Sequence, residues 1–142
     1  MHPKLHFLAS SLIAAALFPI YKWNVSAIFI GGFLIDIDHI LYYYQKTGDL
    51  NIFNAYEYHK KFGEILGSYK GPPEFFIFHN VELLLIFGVL AFFSSYLFLI
   101  FIGLLTHYLL DMFFDYSRTK RVMKYYSIFL FFLKNRNKKF KY

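Results

Sequence analysis

The stretch Gly31-Gly32-Phe33-Leu34-Ile35-Asp36-Ile37-Asp38-His39 places three ionisable side chains inside an otherwise apolar part of the sequence. The apolar run extends over residues 23–44, which is close to the roughly 20 residues that an α-helix needs to cross a hydrocarbon core. Each charged group inside a membrane is costly, so such residues normally carry a function or pair with one another. The stretch therefore predicts a transmembrane helix that contains a polar site.

Other parts of the chain repeat this apolar pattern. Three more runs of similar length occupy residues 5–21, 75–93 and 96–116. Together the four runs predict an all-α integral membrane protein, a four-helix transmembrane bundle in one domain of residues 1–116. The connections at 21–24 and 94–95 are short, which predicts two helical hairpins. The composition agrees, because 58% hydrophobic residues are too many for an ordinary soluble domain. A signal peptide is the alternative for the first run, but no small-residue cleavage site ends it.

Two segments lie outside the predicted spans. Residues 45–74 are polar and contain glycine and proline, which predicts an extramembrane loop. Residues 117–142 form a basic, aromatic tail, in which residues 122–133 predict an amphipathic helix lying on the membrane surface. Lysine and arginine are concentrated in this loop and this tail, so both segments, and with them both termini, are expected on the cytoplasmic side of a cell membrane.

The acidic and histidine side chains of the runs recur at helical spacing. In the fourth run, His107 and Asp111 are four residues apart, so both side chains can bind one ion from one helix. In the second run, Asp36 and His39 lie one turn apart, whereas Asp38 points almost opposite to Asp36 on an ideal helix. Either the helix loosens at this point or Asp38 supports the ligands from outside.

Additional candidates begin the other two runs. His6 lies near the start of the first run, and His79 and Glu82 lie one turn apart at the start of the third. In an up-and-down bundle these starts share a face with the ends of the second and fourth runs, so all four helices can contribute to one site in the cytoplasmic leaflet. The chain has no cysteine, so a metal there is bound by imidazole nitrogen and carboxylate oxygen. The predicted ligands are His6, Asp36, Asp38, His39, His79, His107 and Asp111.

These motifs also resemble those of a known family. Leu5-His6, Gly32-Phe33-Leu34-Ile35-Asp36-Ile37-Asp38-His39, Phe78-His79-Asn80-Val81-Glu82 and Gly103-Leu104-Leu105-Thr106-His107-Tyr108-Leu109-Leu110-Asp111 resemble, in order and placement, the motif series of predicted membrane-bound metal-dependent hydrolases. The resemblance covers most of residues 1–116. It implies an integral membrane hydrolase whose histidine and aspartate residues bind the metal.

A metal ion at this position can assist hydrolysis. A divalent ion lowers the pKa of water and stabilises charge on a reacting oxygen, and Asp38 or Glu82 is expected to take the proton. Zinc is the first expectation, with manganese, iron and magnesium as alternatives. A site in a membrane leaflet suits a lipid-linked substrate or a phosphoester whose negative head group is attracted by nearby lysine and arginine.

Several other interpretations stay open at this point. The polar residues can form an ion-pair and hydrogen-bond network that only fixes helix packing. They can line the pathway of a metal or proton carrier, or the protein can be a non-catalytic scaffold whose basic tail recruits partners. For the tail, membrane lipids are favoured over nucleic acid as the partner. His59, within the polar loop, is interpreted as an ordinary surface residue.

Overall fold

A computed structural model describes residues 3–65, 76, 78–119 and 127–129, and within them the chain is helical with no strand. The helices are α1 (Pro3–Tyr21), α2 (Ala27–Gly32), α3 (Ile37–Thr47), α4 (Ile52–Ile65), α5 (Val81–Leu90) and α6 (Ser95–Thr119). Short 3-10 turns at Lys22–Ser26 and Leu34–Asp36 join α1, α2 and α3. The all-α prediction is confirmed for these residues.

Two helical segments are long and apolar enough to cross a membrane, Pro3–Thr47 and Ser95–Phe114. The first is not a single rod, because the chain turns at Lys22, which has a positive φ of 50°. After this turn α2 runs back along α1, and the ring of Phe7 lies 5.5 Å from the rings of both Phe29 and Phe33. The expected spans at 5–21 and 23–44 therefore form the two arms of a hairpin.

The second expected span, residues 23–44, is not one continuous helix. Helix α2 ends at Gly32, Phe33 leaves the helical region with φ −135° and ψ −47°, and α3 begins only at Ile37. Glycine has a low helix propensity, and Gly32 packs so closely on α1 that a Cβ there would lie 2.3 Å from Oγ of Ser10. The α-helix is thus interrupted by a 3-10 turn where the aspartates begin, and a departure from ideal helix geometry was one of the two alternatives for this stretch.

The third expected span, residues 75–93, is helical only over Val81–Leu90. The side chain of Asn80 caps this helix by accepting a hydrogen bond from the backbone amide of Leu83 at 2.8 Å, which fixes its start. Ten residues of helix extend about 15 Å, roughly half the thickness of a hydrocarbon core. The described helix is thus shorter than the predicted span, and the four-span arrangement stays a prediction.

Helices α2 and α6 make the closest contact in the fold. A Cβ added to Gly103 would lie 2.2 Å from the carbonyl oxygen of Ile28, and one added to Gly31 would lie 2.2 Å from that of Ile100. Small residues permit this approach of two backbones. The surrounding core consists of Ala14, Val25, Ala27, Ile28, Ile35, Leu99, Ile100 and Leu104. This tight contact brings the polar residues of the second and fourth runs together.

The polar loop and the tail are described in part. Helix α3 ends at Thr47 and is followed by Gly48, which has φ 75°, and α4 then packs beside α3. Residues 66–75 of the loop lie outside the described residues. So does most of the expected surface helix at 122–133, of which the structure describes 127–129.

Candidate metal centre

The polar site is built where the break in the second run faces α6. The break carries Asp36 into the interior, α6 supplies His107 and Asp111, α1 supplies His6, and His79 precedes α5. All the predicted metal ligands fall into three overlapping groups whose ligand atoms lie within 4.8 Å of one another. The groups are His6, His107 and Asp111; Asp36, His79 and His107; and Asp38, His39 and His79. These groups can hold a metal ion.

Four atoms form the centre of this cluster. Nε2 of His79 and Nε2 of His107 lie 2.9 Å apart. Oδ1 of Asp36 lies 3.5 and 3.6 Å from these two nitrogens, and Oδ2 of Asp111 lies 3.6 and 3.3 Å from them. Ligand bonds of about 2.0–2.2 Å in a tetrahedral site separate neighbouring ligand atoms by about 3.3–3.6 Å. Four of these five distances lie in that range, whereas the two imidazole nitrogens are closer together; Asp36, His79 and His107 form one of the groups that can hold an ion.

Two contacts orient the imidazoles at this centre. Nδ1 of His79 donates to Oδ2 of Asp38 at 2.9 Å, and the same oxygen accepts the backbone amide of Phe78 at 3.0 Å. Nδ1 of His107 donates to the carbonyl oxygen of Gly32 at 3.1 Å. A proton held on Nδ1 leaves the lone pair of Nε2 facing the centre, as in many metal-bound histidines. Asp38 is thus placed to orient a ligand.

His6 and His39 flank the central atoms. Nε2 of His6 donates to Oδ1 of Asp111 at 3.1 Å, which leaves Oδ2 of Asp111 facing the centre. The ring of His6 stacks on the ring of His107 with centroids 4.0 Å apart. Nε2 of His39 lies 3.6 Å from Oδ1 of Asp36, so His39 can add a further nitrogen on that side.

Asp36 is the most unusual group in the cluster. Its side chain is 8% exposed, and neither carboxylate oxygen has a hydrogen-bond partner. A buried carboxylate without partners is strongly unfavourable. Its Oδ1 instead faces Nε2 of His39, His79 and His107 at 3.5–3.6 Å. A carboxylate among imidazole nitrogens is a typical donor set for a divalent transition metal.

Glu82, one of the two expected proton acceptors, is engaged elsewhere. Its carboxylate accepts hydrogen bonds from Oγ of Ser127 at 2.5 Å and from the backbone amides of Ile128 and Phe129 at 3.1 and 3.2 Å. It belongs to none of the ligand groups found among the described residues. The structure therefore does not bring Glu82 together with the predicted ligands.

His59 was missed by the sequence interpretation, which placed it on the surface. It is buried in the contact of α4 with α3, where its Nε2 donates to the carbonyl oxygen of His39 at 2.9 Å. Burial lowers the pKa of His59, and the hydrogen bond to His39 opposes this only in part. The signal was the spacing of Ala55 and His59, which puts both on one helical face; both are buried.

Comparisons with known proteins found no relative of this chain. No protein-family model matches this chain, and no characterised protein or solved structure is significantly similar to it.

Proposed function

We propose that this chain is a membrane-embedded, metal-dependent hydrolase, with Asp36, His79 and His107 as the ligands of one divalent ion and Asp111 beside His107. The observation that carries the proposal is the buried Asp36 carboxylate, which has no hydrogen-bond partner and faces three imidazole nitrogens. Zinc suits the nitrogen and oxygen donors best, and manganese, iron or magnesium are the alternatives.

Membrane embedding is supported by the apolar outer surface. Two helical segments have the length and composition of membrane spans. Large apolar side chains are also exposed along the helices, including Leu12, Leu85 and Phe113, each more than 60% exposed. Exposed apolar side chains along several helices are expected where lipid is the solvent. The proposed orientation keeps both termini in the cytoplasm, because the basic loop and tail follow the positive-inside rule.

The residues around the centre are assigned different roles in hydrolysis. A bound divalent ion supplies Lewis acidity and lowers the pKa of water. Asp38 orients His79 through Oδ2, and its buried Oδ1 has no hydrogen-bond partner, so Oδ1 is the oxygen available to accept a proton. Both oxygens of Glu82 already accept hydrogen bonds. We therefore assign proton transfer to Asp38 rather than to Glu82.

Metal content tests the first part of the proposal. We would purify the protein in detergent and measure metals by elemental analysis for the parent, Asp36→Asn, His107→Ala and Asp49→Asn. The parent and Asp49→Asn, whose carboxylate lies outside the cluster, are expected to bind about one ion per chain. The two cluster variants are expected to retain about a tenth or less. A folded parent that contains no metal and takes up none would overturn the proposal.

Turnover tests the second part. The zinc-loaded parent is expected to hydrolyse a phosphoester, in a panel that includes water-soluble aryl phosphates and lipid phosphates. His107→Ala and Asp38→Asn should lower the rate by at least about 100-fold, whereas Glu82→Gln should leave it within about threefold. Metal binding without hydrolysis of any phosphoester or lipid-linked substrate would instead favour a metal carrier or a scaffold.

One observation favours a second candidate, a purely structural polar network. Nε2 of His79 and Nε2 of His107 lie at hydrogen-bond distance from each other, so one proton shared between the two rings could replace a metal ion. A network of this type would hold α6 against the residues that precede α5. It predicts that the parent is equally stable with and without divalent metal.

A further inference from the structure

A groove on the outside of the hairpin is lined by Pro3, Lys4, Phe7 and Phe33 and has a volume of about 320 Å³. This volume is at the lower end of the roughly 300–1,000 Å³ that is usual for small-molecule sites. Three of its four lining residues are apolar, and Lys4 is the only charged one. The groove is therefore almost wholly apolar, with the exposed side chain of Lys4 at its edge.

The break in the second run creates this groove. Phe33 is the residue at which the backbone leaves α2, so no further turn of that helix covers α1 beside it. The rings of Phe7 and Phe33 meet edge to face at 5.5 Å and form the floor. The backbone departs from helical geometry at this point. This departure carries Asp36 inward and leaves the groove open on the outer side.

The groove and the proposed metal centre adjoin along α1 and α2. Pro3 precedes Phe7 by four residues and His6 by three, so it lies on the face of α1 between the groove and the buried imidazole. Phe33 directly follows Gly32, whose carbonyl oxygen accepts the hydrogen bond from His107. A molecule in the groove would lie against the same turn of α1 that supplies His6.

We propose that this groove binds the acyl chain of a lipid phosphate monoester, with its phosphate beside Lys4, and that this lipid is the substrate class of the centre. The inference rests on the proposed hydrolase function. An apolar groove on a lipid-facing surface suits an alkyl chain, and lysine near a membrane surface attracts anionic head groups. In the reaction water adds its oxygen to phosphorus, the phosphorus–oxygen bond to the lipid breaks, and inorganic phosphate and a lipid alcohol are formed.

Photo-crosslinking tests the location. The probes are phosphatidic acid with a diazirine on one acyl chain and the matching diacylglycerol without phosphate, each added to the metal-loaded full chain in non-ionic detergent. Labelled positions are mapped by mass spectrometry. We expect phosphatidic acid to label residues 3–7 and Phe33 in preference to the outer faces of α5 and α6.

Variants distinguish the contribution of Lys4 from that of the apolar floor of the groove. Lys4→Gln is expected to lower labelling by phosphatidic acid about fivefold and to leave labelling by diacylglycerol unchanged, whereas Phe33→Ala should lower both. Lys60→Gln and Phe92→Ala are matched controls with exposed side chains outside the groove and should change neither. Equal groove labelling by the two probes, or labelling spread evenly over the apolar surface, would overturn the inference.

Turnover distinguishes this inference from the proposed function. His107→Ala should abolish hydrolysis of phosphatidic acid while the groove is still labelled. If the parent hydrolyses water-soluble phosphoesters but its groove is not labelled, the lipid inference is wrong and the hydrolase stands. If the groove is labelled selectively but no phosphoester is hydrolysed, the groove binds anionic lipid, and both the hydrolase and the assignment of that lipid as its substrate are wrong.

Discussion

Two aspartates in this chain differ in their hydrogen bonding. Asp49, in the turn between α3 and α4, accepts hydrogen bonds from the amide of Asn51, the hydroxyl of Tyr43 and the side-chain amide of Asn54 at 2.8–2.9 Å. These bonds, led by that from Asn54, lower the pKa of Asp49. Asp36 is buried and its oxygens have no such donors. The turn completes its own hydrogen bonding, whereas the Asp36 carboxylate faces three imidazole nitrogens at 3.5–3.6 Å.

The largest expected effect is that of Asp36→Leu on stability, and its sign depends on whether metal is bound. In excess chelator, Asp36→Leu should be more stable than the parent, because it removes a buried carboxylate without partners. With zinc at about 100 times its dissociation constant, the parent should gain about 2.7 kcal/mol and Asp36→Leu should gain nothing. Thermal unfolding in detergent with and without zinc measures both. Asp49→Asn is the control, because its change in stability should be the same in both conditions.

The same experiment decides between metal site and structural network. A network without metal predicts that zinc leaves the unfolding temperature of the parent unchanged. It also predicts that Asp36→Leu is the less stable protein in both conditions, because a member of the network has been lost.

A smaller effect is expected from the contact that supports the cluster. Gly103→Ala should destabilise the protein by about 1–3 kcal/mol, because its Cβ would meet the backbone of α2 at Ile28. It should also weaken zinc binding, since His107 lies one turn further along α6. Gly88→Ala is the matched control, because the nearest atom there is a ring carbon of Phe101 at 3.3 Å. Equal effects of the two substitutions on zinc affinity would contradict this account.

The turn should respond differently from the cluster. Asn51 caps α4 by accepting the amides of Phe53 and Asn54 at 2.9 and 3.3 Å. Asn51→Ala should therefore cost about 1 kcal/mol of stability and leave the metal content unchanged. Chemical denaturation and elemental analysis of the same preparation measure both. A loss of metal would show that the turn and the cluster are coupled.

The smallest expected effect concerns pH. Burial lowers the pKa of His59 below its usual value of 6.5, so the unfolded chain binds a proton more readily than the folded one. The neutral form then contributes stability above about pH 6.5 that is lost as pH falls through the folded pKa. In chelator, the parent should lose more stability than His59→Gln between pH 7.5 and 5.5. Parallel losses in the two proteins would contradict the expected shift.

The helical class and the approach of His107 to Asp111 could be predicted from the sequence because both depend on local spacing. His107 and Asp111 share a face of any α-helix, and the structure places Oδ2 of Asp111 3.3 Å from Nε2 of His107. The sequence left open how Asp36 and Asp38 could both serve one site, because an ideal helix points them apart. The 3-10 turn at Leu34–Asp36 winds by about 120° per residue instead of 100°, and that change depends on how Gly32 packs.

Other differences arise from tertiary contacts. The apolar run at 75–93 has the composition of a span, but the hydrogen bond from the amide of Leu83 to Asn80 fixes where α5 begins. Asn80 is a typical capping residue, so this boundary was readable from the sequence in principle. The burial of His59 was harder to predict, because it depends on where α4 packs against α3.

The wide separation of the ligands along the chain has a consequence for biosynthesis. His6 and Asp111 are 105 positions apart, and the ribosome adds residues from the N-terminus at about 5–20 per second. Asp36 is therefore synthesised seconds before the partners that α6 provides. During this interval the hairpin of α1 and α2 carries Asp36 without His107, and only the arrival of α6 completes the polar interior.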